Sequence, residues 1–112
     1  MKRICFISGT RAEYGLLKPL IEAISDCDDF VVQIIATGMH LSPEFGLTFK
    51  EIENDGFSIN RKIEMLLSSD TASSISKSTG LGLIGFSDAY SELYPDIIVI
   101  LGDSFEMLSA SI

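Results

Sequence analysis

The stretch that most restricts how this chain can fold runs from Asp96 to Gly102 and reads Asp-Ile-Ile-Val-Ile-Leu-Gly. Ile97, Ile98, Val99, Ile100 and Leu101 are all apolar, so both alternating faces of the strand they predict must be covered. Pro95 before the run and Gly102-Asp103 after it bound the strand. Residues 30–37 (Phe-Val-Val-Gln-Ile-Ile-Ala-Thr) and 3–8 (Arg-Ile-Cys-Phe-Ile-Ser) repeat the pattern. Strands of this kind belong to parallel sheets, whose crossover connections lay helices on both faces.

The intervening segments read as those helices. Residues 11–25 carry Leu16, Leu17, Leu20, Ile21 and Ile24 at helical spacing, and Pro19 either kinks this helix or marks its true first turn. Gly38 ends the second strand. Ser42-Pro43 predicts another helix start, with Phe45, Phe49 and Ile52 on one face and Asn54-Asp55-Gly56 as the stop. Residues 60–65 predict a short third strand, and residues 68–74 a polar loop and cap. A long helix from about Thr71 to Tyr94 follows, with Ile75, Leu83, Phe86, Tyr90 and Leu93 as its apolar face. Gly80, Gly82 and Gly85 each weaken that helix by about 1 kcal/mol, unless they allow close backbone packing or the approach of a ligand. The expected fold is therefore α/β, a Rossmann-like parallel sheet with flanking helices. Ile112 falls inside a helix that begins near Ser104 and has no stop, so the chain is expected to be the front part of a longer one.

Composition removes several function classes. The 112 residues are 46% hydrophobic, with a mean hydropathy of +0.34. No apolar run reaches the roughly 18 residues that span a bilayer. The apolar run behind Met1-Lys2-Arg3 is too short for a signal peptide, so a cytoplasmic chain is expected, without a membrane partner. A net charge of −8 disfavours a nucleic-acid partner, which demands excess Lys and Arg. Cys5 and Cys27 lack metal-ligand spacing and read as free thiols, and no metal site is expected.

Ligands of such sheets bind beyond the carboxyl ends of the strands. Gly9-Thr10-Arg11, Thr37-Gly38-Met39-His40 and Gly102-Asp103 all fall there. Arg11 opposes the dipole at a helix start unless an anion is present, which points to a phosphate ligand; the alternative is a solvated surface arginine. Thr10-Arg-Ala-Glu13 fits a capping box, so Glu13 reads as a structural cap. The dinucleotide fingerprint G-x-G-x-x-G is absent. His40, the sole histidine, is either a surface residue or a site residue. Asp103, partly desolvated at the end of the most apolar strand, suits proton transfer, and equally suits an N-cap for the helix at Ser104. Glu106 complements the first turn of that helix.

Three segments, SGTRAEYGLLKPL (8–20), TGMHLSPEFG (37–46) and SKSTGLGLIGFSDAYSELYPDIIVILGDSFE (76–106), together resemble the start of hydrolysing UDP-N-acetylglucosamine 2-epimerases. The resemblance covers essentially the whole chain. Non-hydrolysing relatives typically read GTRPE, TGQH and GDTTT. Ala12-Glu13-Tyr14, Met39 and Ser104-Phe105-Glu106 side with the hydrolysing branch, whose members make precursors of sialic and legionaminic acids.

The resemblance implies a GT-B-like fold of two Rossmann-type domains. Residues 1–112 would form an incomplete N-terminal domain, with the C-terminal nucleotide-binding domain outside this chain. It implies a UDP-sugar substrate, no cofactor, a homodimer or higher homo-oligomer for the complete enzyme, and an isolated 112-residue chain without activity. Residue by residue, Arg11 matches a contact to UDP, Gly15 a substrate contact reduced to backbone, His40 a position near the sugar, and Asp103 the catalytic aspartate. Ser104 departs from the pattern, because the family reads GDRFE where this chain reads GDSFE. Losing that charge-assisted hydrogen bond costs on the order of 1.5–3 kcal/mol, or about tenfold to a hundredfold in UDP affinity. The rival readings are a GT-B glycosyltransferase, a non-hydrolysing epimerase and an inert nucleotide-sugar-binding fragment.

Overall fold

The computed structural model describes residues 2–37, 48–63 and 72–101, with side chains from residue 83 onward in the last segment. In chain order the elements are β1 (Lys2–Ser8), α1 (Arg11–Ser25), β2 (Phe30–Thr37), α2 (Phe49–Asn54), β3 (Arg61–Ile63), α3 (Ala72–Leu93) and β4 (Ile97–Val99). The strands form one four-stranded sheet in the order β3-β2-β1-β4, and each pairing is parallel. This is the expected Rossmann-like α/β architecture.

Alternation along β1 sends its side chains to two separate cores. Ile4 and Phe6 meet Ile34 of β2 together with Tyr14, Leu17 and Ile21 of α1 and Ile52 of α2. Cys5 and Ile7 meet Ile35 and Ile63 together with Phe86 and Ala89 of α3. The helices thus cover both faces. Burial pushes the Cys5 thiol up to about 12, which makes it an inert core group, whereas the Cys27 thiol is exposed.

Polar groups inside the fold secure element ends. The buried Gln33 side chain donates to the Leu93 carbonyl at 2.9 Å, which satisfies one of the orphan carbonyls at the end of α3. Thr37 Oγ1 donates to the Ile63 carbonyl at 2.6 Å, extending the β2–β3 pairing by a side chain. Asp96 accepts from the Arg3 N–H at 2.7 Å and returns its own N–H to the Arg3 carbonyl at 2.8 Å. This clasp starts the β1–β4 pairing.

Three expectations change. Leu16 and Leu20 are exposed (73% and 44%), because α1 turns Tyr14, Leu17 and Ile21 to the sheet instead. Pro19 does not open the helix. It lies inside α1, which begins at Arg11 behind the Thr10 cap. The strand expected over 96–102 spans only Ile97–Val99, since its partner β1 pairs with it only across Ile4–Phe6. Ile97 and Ile98 are consequently 44% and 39% exposed. The long helix expected from about Thr71 to Tyr94 is observed as α3, Ala72–Leu93. The Ser42-Pro43 helix start, Gly38 and Phe45 lie outside the described residues.

Gly85 has the packing role that its position in a long helix allowed. A Cβ there would stand 2.6 Å from Ile63 Cγ2, where α3 crosses β3. Gly85→Ala gains about 1 kcal/mol of helix propensity, but the overlap with a stiff β-branched side chain costs about 1–3 kcal/mol. The expected result is a lower urea midpoint with an unchanged slope. In a double-mutant cycle with Ile63→Ala, which removes the opposing methyl, the pair should lose less than the sum of the single changes.

Candidate functional site

The strand order locates the ligand crevice. From β1 the chain proceeds outward to β2 and β3 on one side, then crosses to β4 on the other. The switch point of the sheet therefore lies between β1 and β4, at their carboxyl ends. Because β1, β2 and β4 are parallel, their carboxyl ends lie along one edge of the sheet, and the turn after β1 opens there. Arg11 and Gly15 lie within the described residues. His40, Asp103, Ser104 and Glu106 lie outside them.

The turn after β1 is built by local hydrogen bonds. Thr10 is extended (φ −142°, ψ 161°), and its Oγ1 accepts from the Glu13 N–H at 3.1 Å. Glu13 Oε1 accepts from the Gly9 N–H at 2.9 Å in a buried setting. The capping reading of Glu13 holds, with the return bond reaching one residue before the cap. With its backbone N–H donating to Thr10 and its carboxylate accepting from Gly9, Glu13 is a structural part of the site.

Arg11 is the first residue of α1, with a side chain 73% exposed. Its anion is supplied from within the chain: Nε stands 3.0 Å from Glu51 Oε1 on α2. One turn further along α2, Asp55 Oδ2 accepts from the Tyr14 hydroxyl at 2.5 Å and lies 3.4 Å from Lys18 Nζ. Arg11, Gly15 and Lys18 lie on one side of α1, at intervals that place them along a single helical face. Together with Tyr14, Glu51, Asn54 and Asp55 they line an open concavity between α1 and α2. The structure thus brings Arg11 and Gly15 into one surface.

Nothing stands within 4 Å of a Cβ built at Gly15, so packing does not demand glycine there. Pro19 has no N–H to return to the Gly15 carbonyl four residues earlier, which removes that carbonyl's ordinary helical donor. Sequence reasoning missed Glu51 and Asp55. An acidic residue in the first turn of a helix is a routine complement to its dipole, so Glu51 carries no signal of its own.

The electrostatics of the Tyr14–Asp55 pair set a pH dependence. The Tyr14 hydroxyl, followed by Lys18, holds the Asp55 carboxyl below its usual range. Burial, followed by the Asp55 hydrogen bond, pushes the Tyr14 phenol up. A carboxyl depressed in the folded state adds stability above its unfolded pKa, near about 4, and loses it as pH falls through the folded value. Tyr14→Phe should raise the Asp55 titration midpoint toward the ordinary value, read by carboxyl-carbon NMR. It should also flatten this group's contribution to the loss of stability below about pH 4.

The comparisons with known proteins agree with this fold. The family model for UDP-N-acetylglucosamine 2-epimerase matches residues 22–112. The GDP/UDP-N,N'-diacetylbacillosamine 2-epimerase (hydrolyzing) of Campylobacter jejuni is 53% identical over 98% of this chain and 28% of its own length. The UDP-N,N'-diacetylbacillosamine 2-epimerase (hydrolyzing) of Legionella pneumophila is 38% identical over all of this chain and 30% of its own length. The chain therefore spans less than a third of the length of these curated relatives. Among solved structures, the UDP-GlcNAc 2-epimerase from Neisseria meningitidis, crystallised with UDP-GlcNAc, superposes with a TM-score of 0.77 at 16% identity. The superposition covers 99% of this chain and 28% of that one, and it supports the fold.

Proposed function

The chain belongs to the UDP-N-acetylglucosamine 2-epimerase family, and on that footing we propose that it forms the first Rossmann-like unit of a hydrolysing UDP-sugar 2-epimerase. The identity of 53% to the Campylobacter jejuni protein, spread over 98% of the chain, carries this reading. It also favours a UDP-2,4-diacetamido sugar over UDP-N-acetylglucosamine, since the relatives at 53% and 38% both bear diacetylbacillosamine in their names. The site is the crevice at the carboxyl ends of β1 and β4. Arg11 and the Gly15 backbone hold the nucleotide side of the substrate, together with Ser104. His40 stands near the sugar, and Asp103 moves a proton. The complete enzyme works in the cytoplasm, and a homodimer is its simplest assembly.

The chemistry needs these groups for stated reasons. The C1–O bond to UDP breaks with its electron pair going to the diphosphate, whose negative charge a guanidinium stabilises. Positive charge developing at C1 makes the C2 proton acidic. A carboxylate takes that proton, and the C1–C2 double bond of a glycal forms. Water then adds its oxygen to C1 while a proton returns to C2 on the opposite face. The products are UDP and the free 2-epimeric sugar, with one water consumed.

Proton NMR of the full-length enzyme in D2O with UDP-N,N'-diacetylbacillosamine, and separately with UDP-N-acetylglucosamine, tests the proposal. Free UDP together with a free 2-epimeric sugar deuterated at C2 is the expected result, faster with the diacetamido substrate. A deuterated UDP-sugar without free UDP would assign the protein to the non-hydrolysing branch. Sugar transfer to an acceptor without deuterium at C2 would make it a glycosyltransferase.

A further inference from the structure

We infer that Glu51 is a positioning residue for Arg11, holding the guanidinium by its Nε edge so that its remaining N–H groups can take the nucleotide diphosphate. The inference rests on the proposed role of Arg11 as a UDP contact, and it assigns a function to a residue on a different helix.

Stability does not account for the pair. Its two side chains are 73% and 42% exposed, and ion pairs that open to solvent contribute little to folding. Arg11 also sits at the wrong end of α1 for the helix dipole. A long, exposed arginine would otherwise sample many rotamers, and ordering it on ligand binding costs affinity.

Glu51 is well placed to remove that cost. Its helix is anchored by Ile52, which is fully buried against the α1 face of the sheet. One turn on, Asp55 ties the same helix to α1 through the Tyr14 hydroxyl and Lys18. Glu51 is therefore presented from a helix fixed at two further points. The contact is made at Nε, at 3.0 Å. Of the five guanidinium N–H donors, one terminal N–H shares that edge with Nε–H, and the other three point away from it, two of them as the end-on fork that suits phosphate oxygens.

The prediction separates geometry from charge. Glutamine keeps an oxygen that accepts from Nε–H, whereas alanine keeps neither acceptor nor charge. In the full-length enzyme, Glu51→Ala should raise the UDP dissociation constant and the KM by roughly 2- to 10-fold, the cost of ordering one such side chain. The turnover number should move much less. Glu51→Gln should recover most of the loss. In the Arg11→Ala background, Glu51→Ala should add nothing.

Isothermal titration with UDP and steady-state kinetics on these four variants and the unsubstituted enzyme give the readout. Tighter UDP binding in both Glu51 variants would show Glu51 to be a competing anion and overturn the inference. Equal losses from Glu51→Ala with and without Arg11 would also overturn it, since Glu51 would then act independently of Arg11. UDP binding that survives Arg11→Ala unchanged would overturn it while leaving the epimerase reading intact. Absence of UDP binding by the unsubstituted enzyme would overturn both.

Discussion

Asp103→Asn in the full-length protein is expected to lower the rate of the proposed hydrolytic epimerisation by about 100- to 10,000-fold, the range associated with losing a positioned acid or base, while UDP still binds. Asparagine matches aspartate in size and is an equally good N-cap, so a helix starting at Ser104 keeps its cap. What it loses is the ability to accept or deliver a proton. Deuterium incorporation at C2 should fall in step with UDP release, because the two bond changes are linked through one elimination. The rate of each is read from the same NMR time course. Turnover within tenfold of the unsubstituted enzyme would return Asp103 to a capping role and move the acid–base chemistry elsewhere.

Ser104→Arg carries the second large effect, and in the opposite direction. The family pattern GDRFE places a guanidinium where this chain has a hydroxyl. On the proposed role of this position, restoring it should add a charge-assisted hydrogen bond to the nucleotide, worth on the order of 1.5–3 kcal/mol, or about 10- to 100-fold in the UDP dissociation constant. Tighter binding of UDP also slows its release, so kcat should rise less than kcat/KM. Titration calorimetry with UDP checks the affinity. An unchanged dissociation constant would mean that residue 104 does not reach the phosphates.

Much of the fold was legible because its signals are local. Thr10 and Glu13 announce the start of α1 through a capping box whose two hydrogen bonds form within the turn itself. The β-branched run at residues 30–37 specifies β2 to the residue, since nothing polar except Gln33 and Thr37 interrupts it and both donate to backbone carbonyls. Gly85 was readable as a point of close approach, though its partner Ile63 was not. The misreadings share a cause. Helical spacing of leucines does not say which stripe faces the sheet, and here the aromatic Tyr14 with Leu17 and Ile21 outcompetes Leu16 and Leu20. The apolar run after Pro95 is longer than the strand it forms, because the length of β4 is set by pairing with β1.

The candidate site was legible in its strand-end half only. Arg11 stands out in the sequence because it opposes the helix dipole, whereas Gly15 is singled out only by the family resemblance. Their surroundings depend on α2, which reaches them through the tertiary fold. No spacing rule connects Arg11 to Glu51 or Tyr14 to Asp55. The Tyr14 hydroxyl, which by sequence is one more buried aromatic, helps to tie the two helices together, beside the Arg11–Glu51 and Lys18–Asp55 ion pairs.

The clasp between Arg3 and Asp96 has a consequence for the newborn chain. Its partners are 93 positions apart, so β1 leaves the ribosome long before the strand that closes its other side. At roughly 5–20 residues per second, that interval is about 5 to 20 s. β2 arrives early and can pair with one edge of β1, bringing α1 over Ile4 and Phe6. The opposite edge, with Cys5 and Ile7 still lacking the cover of α3, has to wait. Closing so long a loop is entropically slow, which places the last pairing late in assembly. During that wait the unpaired edge of β1 is the surface that a chaperone would shield and that aggregation would exploit.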